Sequence, residues 1–228
     1  MPSEADTAVP PVTKHKGHRW FAALYDRMGA REERHLGPLV RSRIAGEADG
    51  RVLEIGAGTG ANFPYYPADA QVVATEPDPF MLKRARDRLA ELGSSNIEVR
   101  EASADALPFE DASCDHVVST LVLCSVPKQA PALAELRRVL KSDGTFRFLE
   151  HVRNDDSRLW GTMQDAITPL WRWFGAGCHP NRETQRAMEN AGFHIEWLER
   201  TNIAPGTYAI YGVARAASAV PAKGTAAV

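Results

Sequence analysis

The 228-residue chain is 44% hydrophobic and 25% charged, ordinary for a globular protein, which excludes collagen-like, low-complexity and wholly disordered readings. Its length allows one large domain or at most two small ones, at about 150 residues per domain. With 27 Lys and Arg against 29 Asp and Glu, the formal net charge of −2 is too small to steer nucleic acid or an anionic membrane, so the expected partner is a small molecule.

The first 17 residues are polar and carry no hydrophobic period, and they read as a disordered tail without the apolar middle of a signal peptide. No apolar run approaches about 18 residues, so no integral membrane segment is expected. The folded domain is expected over 18–215, with 216–228 as a second flexible tail. Three cysteines, Cys114, Cys124 and Cys178, follow neither CxxC nor metal-ligand spacing. That argues against a disulfide framework or a zinc site, and for reduced thiols in a cytoplasmic protein.

After a helical opening, short β-rich runs alternate with helical patterns. The strands are RVLEI at 51, QVVATE at 71, IEVRE at 97, DHVVST at 115 and TFRFLEH at 145. Helices are predicted from Phe80, stopped by Gly93, and from Gln129, stopped near Asp143 and Gly144. This alternation predicts an α/β fold with a Rossmann-like, mostly parallel sheet whose ligands bind beyond the carboxyl ends of the strands. FHIEWLER and TYAIYGVAR then read as an antiparallel pair at the sheet edge.

The strongest local signal is VLEIGAGTGANF, with Gly56, Gly58 and Gly60 directly after a strand. Such a loop needs residues without Cβ, to reach positive φ and to let a ligand approach the backbone. Gly56, Gly58 and Ala61 also satisfy the dinucleotide fingerprint, so the glycines alone do not choose between cofactors. Two neighbours do. Pro64 and Pro67 interrupt the helix on which a pyrophosphate would sit, and Glu54 places a carboxylate where it repels phosphate and suits an ammonium group. S-adenosyl-L-methionine, which carries an ammonium and a sulfonium and no phosphate, meets both conditions. Glu76 lies 20 residues after Gly56, a spacing suited to ribose hydroxyls.

Together with ADALPFEDASCDHVVS, LAELRRVLKSDG and FRFLEHV, these pieces resemble class I methyltransferases of the methyltransferase-11 type over about residues 20–215. GTGANFPYYP, STLVLCSVPKQ, FLEHVRND and LWRWFGAGCHPNRET are similar to the alkyl thiol methyltransferases known from vertebrates. The resemblance implies a seven-stranded sheet with an antiparallel last strand and a small lipophilic acceptor such as a thiol. A quinone, phenol or phospholipid head group remains the alternative, and an NAD-dependent oxidoreductase a distant one. Carried over by position, Glu54, Gly56, Ala57, Gly58 and Gly60 would line the methionine part of the donor, Glu76 the ribose, and Pro77 and Met81 the adenine, with Thr120 at the fourth strand's end. Where relatives commonly hold an adenine-binding acid, this chain has Ser103 followed by Ala104, leaving the contact to Asp105 or to backbone and water.

Acceptor residues are sought near the same face. From Leu159 to Phe174, apolar residues recur at helical spacing, either to pack this helix on the sheet or, at Trp171 and Phe174, to border the acceptor. Tyr25 is expected to fold over the cofactor, and Cys124 to face it after the fourth strand. His151 and His179 are the available bases; a thiol with an ordinary pKa of about 8.5 is only slightly ionised at neutral pH, so a nearby base raises its thiolate fraction. His151 is the catalytic candidate. Asn181 is expected to cap a following helix.

Overall fold

A computed structural model describes residues 37–175, 177–204 and 207–217. Tyr25 and most of the two expected tails lie outside these residues. Seven strands, β1 (Arg51–Ile55), β2 (Gln71–Thr75), β3 (Ile97–Arg100), β4 (Cys114–Thr120), β5 (Leu140–His151), β6 (Phe193–Ala204) and β7 (Thr207–Ala216), form one sheet in the order β3-β2-β1-β4-β5-β7-β6. The first five are mutually parallel, while β7 runs antiparallel to both neighbours, β5 and β6. The two final strands therefore form the expected antiparallel pair, with β6 at the edge.

Alternation along β1 shows how the core divides. Leu53 and Ile55 enter an apolar cluster with Leu133, Leu136, Phe146 and Phe148, while Val52 enters a second one with Val72, Ala85 and Leu149. Successive strand side chains point to opposite faces, so helices are needed on both. α1 (Pro79–Leu92) contributes Ala85 to one face, and α2 (Gln129–Val139) contributes Leu133 and Leu136 to the other. α1 starts where the Asp78 carboxylate accepts the N–H groups of Phe80 and Met81, and it stops at Gly93, whose φ of +66° is left-handed.

α2 ends earlier than its sequence pattern suggests, because Leu140 turns extended, is buried, and pairs with Cys114. α3 (Arg158–Phe174) follows β5, and α4 (Thr184–Asn190) precedes β6. Asn181 does not cap α4; its amide binds the Asp165 carboxylate at 2.9 Å and ties the loop to α3.

The apolar stripe of α3 also departs from expectation. Trp160, Met163, Ile167 and Leu170 are exposed, whereas Gln164 and Thr168 are buried. Polar anchoring sets this face: Gln164 accepts the Asn154 N–H at 2.7 Å and donates to the carbonyls of Val152 and Pro180.

Candidate active site

β1 pairs with β2 on one side and β4 on the other, so the chain order reverses between β1 and β4. In open α/β sheets ligands bind at the carboxyl ends beside such a reversal. Here that position holds the glycine loop after β1 and the segment Leu121–Val126 after β4. Gly56, at φ +57°, meets Val122 so closely that an added Cβ would stand 2.6 Å from a valine methyl. Gly58, at φ +59°, would place a Cβ with no atom within 4 Å. The loop is thus packed on its β4 side and open at its middle glycine. Ala57, buried between them, donates its N–H to the Thr75 carbonyl at 2.9 Å.

Two buried carboxylates face this loop. Glu76 accepts the Gly58 N–H at 2.8 Å on one oxygen and the Asp78 N–H at 2.8 Å on the other. Burial pushes its pKa up to about 7 against the lowering effect of those two bonds. Glu54 accepts the Asn62 amide at 2.8 Å and the Tyr66 hydroxyl at 3.0 Å. Burial raises it to about 7 as well, opposed by Asn62, Tyr66 and Arg41. Asn62 links the set: its amide nitrogen also donates to Thr120 Oγ1 at 2.8 Å, and its oxygen accepts from Arg41 at 2.6 Å.

Thr120, carried over only as a donor-site residue at the fourth strand's end, joins the Glu54 network through Asn62, and Asn62, Tyr66 and Arg41 are members that the sequence reading did not include. The polar residues of GTGANFPYYP marked the first two; Arg41 lies in a segment whose sequence carries no such mark.

The remaining donor candidates lie at the neighbouring strand ends. Pro77 is half-buried and Met81 buried where β2 passes into α1. After β3, Ala104 is buried, and the exposed Asp105 carboxylate accepts the Ser103 hydroxyl at 2.5 Å. Gly60 stacks against Phe63 instead of lining open space. Phe63–Tyr65 forms a single turn containing Pro64, so no helix N-terminus follows the loop to receive a pyrophosphate. An open middle glycine with two buried carboxylates fits a ligand that brings an ammonium and hydroxyl groups, and it disfavours the dinucleotide reading.

A second group assembles two residues beyond Val122. Cys124 Sγ lies 3.4 Å from Cys178 Sγ, and His151 Nδ1 lies 3.7 Å from the first and 3.6 Å from the second. Both cysteines are buried and His151 is half-buried. Spacing along the chain carries no sign of this group, yet the fold brings three side chains with metal-ligating atoms within 4.8 Å of one another.

Cys178 is the more acidic thiol, held well below its ordinary value by Cys124 and then by His151 and the Trp171 indole, against burial. Cys124 is pushed well above its ordinary value by that same partner and by burial. Beneath them, Glu150 accepts the Ser119 hydroxyl at 2.6 Å and the Cys124 N–H at 3.3 Å, and burial raises its pKa.

Of the other acceptor candidates, Trp171 is half-buried beside Cys178. Phe174 ends α3, but its side chain lies outside the described residues. The His179 ring and backbone N–H are both directed at the Cys124 carbonyl, at 3.3 and 2.8 Å, and its pKa is lowered by burial and by Arg182. His179 thus braces the loop that presents Cys178. Arg182, half-buried, donates to the Leu123 carbonyl and braces it from the other side.

Residues 53–148 match the family described as a methyltransferase domain. Over 175 residues, 76% of this chain and 72% of the relative, the chain is 35% identical to thiol S-methyltransferase TMT1A of Homo sapiens. Over 158 residues, 67% of this chain and 64% of the relative, it is 40% identical to thiol S-methyltransferase TMT1B of Homo sapiens. Among solved structures, a SAM-dependent methyltransferase from Thermotoga maritima matches with a TM-score of 0.64 at 20% identity, covering 88% of this chain and 100% of that one, a likeness of fold.

Proposed function

Since this chain belongs to the S-adenosylmethionine-dependent methyltransferases, we propose that it methylates a small lipophilic thiol. The observation that carries the reading is the placement of Val122 against Gly56 with Cys124 two residues further on, which sets the sulfur and imidazole group beside the donor loop. The relatives matched at 35% and 40% identity are thiol S-methyltransferases. When bound, the cofactor supplies a methyl group on a sulfonium, ready for in-line displacement.

The chain's own residues would do the rest. Glu54, ionised, holds the ammonium group, with Asn62 and Tyr66 fixing its carboxylate and Thr120 fixing Asn62. Gly56, Ala57, Gly58 and Gly60 line the methionine part; Glu76 takes the ribose. Pro77 and Met81 flank the adenine, and Asp105, oriented by Ser103 next to Ala104, lies within this part of the site. Cys124, Trp171 and His179 form the acceptor side, and the acceptor is ionised at His151; the roles expected of Tyr25 over the donor and of the Phe174 side chain beside the acceptor fall outside the described residues. Holding both reactants in a dry site provides most of the rate enhancement.

Among the described residues no helix is long and apolar enough to cross a membrane. Three free cysteines support a reducing, cytoplasmic setting as part of this proposal, and the balanced charge supports a small-molecule partner and no nucleic acid.

The test is product mass spectrometry with isotopically labelled donor and a panel of alkyl thiols, phenols, quinols, amines and phosphatidylethanolamine. Methyl thioethers are the expected products. Label found only on oxygen or nitrogen would overturn the thiol reading in favour of a phenol, quinone or head-group acceptor.

A further inference from the structure

The triad has the dimensions of a metal site. A tetrahedral zinc ion, at about 2.3 Å from sulfur and about 2.0–2.1 Å from imidazole nitrogen, sets two sulfur ligands about 3.8 Å apart and a sulfur and a nitrogen about 3.6 Å apart. The structure has 3.4 Å for Cys124 to Cys178, and 3.7 and 3.6 Å from these sulfurs to His151 Nδ1. All three ligand atoms lie within 4.8 Å of one another.

Two elements and one braced loop hold them. Cys124 follows β4, with its N–H on the buried Glu150. His151 ends β5, and Cys178 sits in the loop fastened by His179 to the Cys124 carbonyl. Structural zinc sites use four protein ligands, whereas three, including the Cys₂His set, leave one position for water or substrate.

We propose that Cys124, Cys178 and His151 bind a thiophilic divalent cation, zinc by preference, and that the acceptor thiol occupies its fourth position as thiolate. The second half of this assignment rests on the thiol reading above; the ion site does not. Zinc suits two thiolates and an imidazole better than a hard, oxygen-seeking cation would. The ion gives the ionisation placed at His151 a physical route, with His151 serving as ligand.

Binding to the ion releases the acceptor's proton to solvent. The thiolate lone pair then forms the new sulfur–methyl bond as the donor's sulfonium–methyl bond breaks. Nothing is oxidised or reduced, and the product thioether, uncharged and a poor ligand, leaves the ion. Three thiolates on a divalent cation leave one net negative charge, which the half-buried Arg182 guanidinium, close enough to interact with both cysteines and Glu150, offsets.

The experiment uses the full chain purified in reductant without chelator. Elemental analysis is expected to give one zinc per chain. Exchange with Co²⁺ is expected to give a sulfur-to-cobalt charge-transfer band and intense tetrahedral visible bands. Both Cys124→Ser and Cys178→Ser should lose the charge-transfer intensity stepwise while retaining S-adenosylhomocysteine binding, which serves as the fold control. Adding an alkyl thiol, but not a phenol, should shift the visible bands.

If the fold control fails in the serine variants, wild-type metal content and the cobalt spectrum still decide the matter. Reduced wild-type protein with no stoichiometric zinc and no cobalt band overturns the site. A Cys124–Cys178 disulfide in freshly isolated protein whose reduction restores no metal binding also overturns it, in favour of a redox pair. A cobalt spectrum unmoved by thiols in an enzyme that methylates them overturns the fourth-ligand assignment. The same spectrum in an enzyme that methylates no thiol overturns the acceptor reading and leaves the ion site standing.

Discussion

Glu76, just past the end of β2, accepts the backbone N–H of Gly58 at 2.8 Å, so the acid and the middle glycine of the loop form one hydrogen-bonded unit. The second oxygen takes the Asp78 N–H, and the carboxylate still has acceptor capacity for ligand hydroxyls. Glu76→Gln must aim an amide NH₂ at one of these backbone donors. The expected outcome is a fall of at least about tenfold in S-adenosylhomocysteine affinity, about 1.4 kcal/mol or more, measured by calorimetry. Unchanged affinity would remove Glu76 from the donor site.

The two raised carboxylates give the site a pH signature. Glu54 and Glu76 sit near 7 in the folded chain against an ordinary 4.5, so the folded state binds more protons than the unfolded one between these values. Their contribution to stability is fully present below about pH 4.5 and is lost as pH rises through 7. The span is about 3 kcal/mol for each group.

Ligand binding runs the other way. An ammonium beside Glu54 requires its anion, so affinity should be about tenfold weaker at pH 6 than at pH 8, with a proton released on binding at the lower pH. Tyr66 and Asn62 donate to Glu54, and Arg41 and Glu76 act on it through space, so Glu54→Gln isolates its share. Calorimetry across pH, in buffers of different ionisation enthalpy, should show the slope in wild type and a flatter profile in the variant.

How much of this was legible in the sequence depended on the range over which each feature is encoded. β1 and β2 were readable because strands buried on both faces are short apolar runs, and α1 because Asp78, Pro79 and Gly93 mark its ends locally. Glu54 and the glycines were readable because strand, turn and ligand contact fall within ten residues. The Cys124, His151 and Cys178 triad was not, since consecutive members lie 27 residues apart and meet only because β4 and β5 are adjacent and parallel. The face that α3 buries was also hidden, because it is chosen by Gln164 reaching three backbone groups that no periodicity records.

The two loop glycines should separate stability from binding. Gly56→Ala forces a methyl against Val122 at positive φ, and a loss of about 2–4 kcal/mol is expected, partly restored by adding Val122→Ala. Gly58→Ala has only the left-handed strain, about 1–2 kcal/mol, but its methyl projects into the open face of the loop. It should therefore cost more in donor affinity than in stability. Denaturant unfolding and calorimetry on the same proteins check the ordering; equal effects on both quantities would contradict it.

On α3 the usual hydrophobic ranking should be inverted. Ile167 is 47% exposed, while Gln164 is 7% exposed and satisfies the Asn154 N–H together with the Val152 and Pro180 carbonyls. Gln164→Ala leaves a buried backbone donor without its acceptor, a cost of about 1–3 kcal/mol, and frees the loops that carry His151 and Cys178. Ile167→Ser removes little packed surface and should stay within about 0.5 kcal/mol of wild type. Thermal and denaturant unfolding give the comparison, and acceptor KM gives a second readout. The Gln164 variant should raise KM for the acceptor and leave donor affinity unchanged, because α3 meets the strand ends on the side of β5 and not at the glycine loop. If Ile167→Ser proves the more destabilising of the two, the hydrophobic stripe positions α3 and the polar anchor does not.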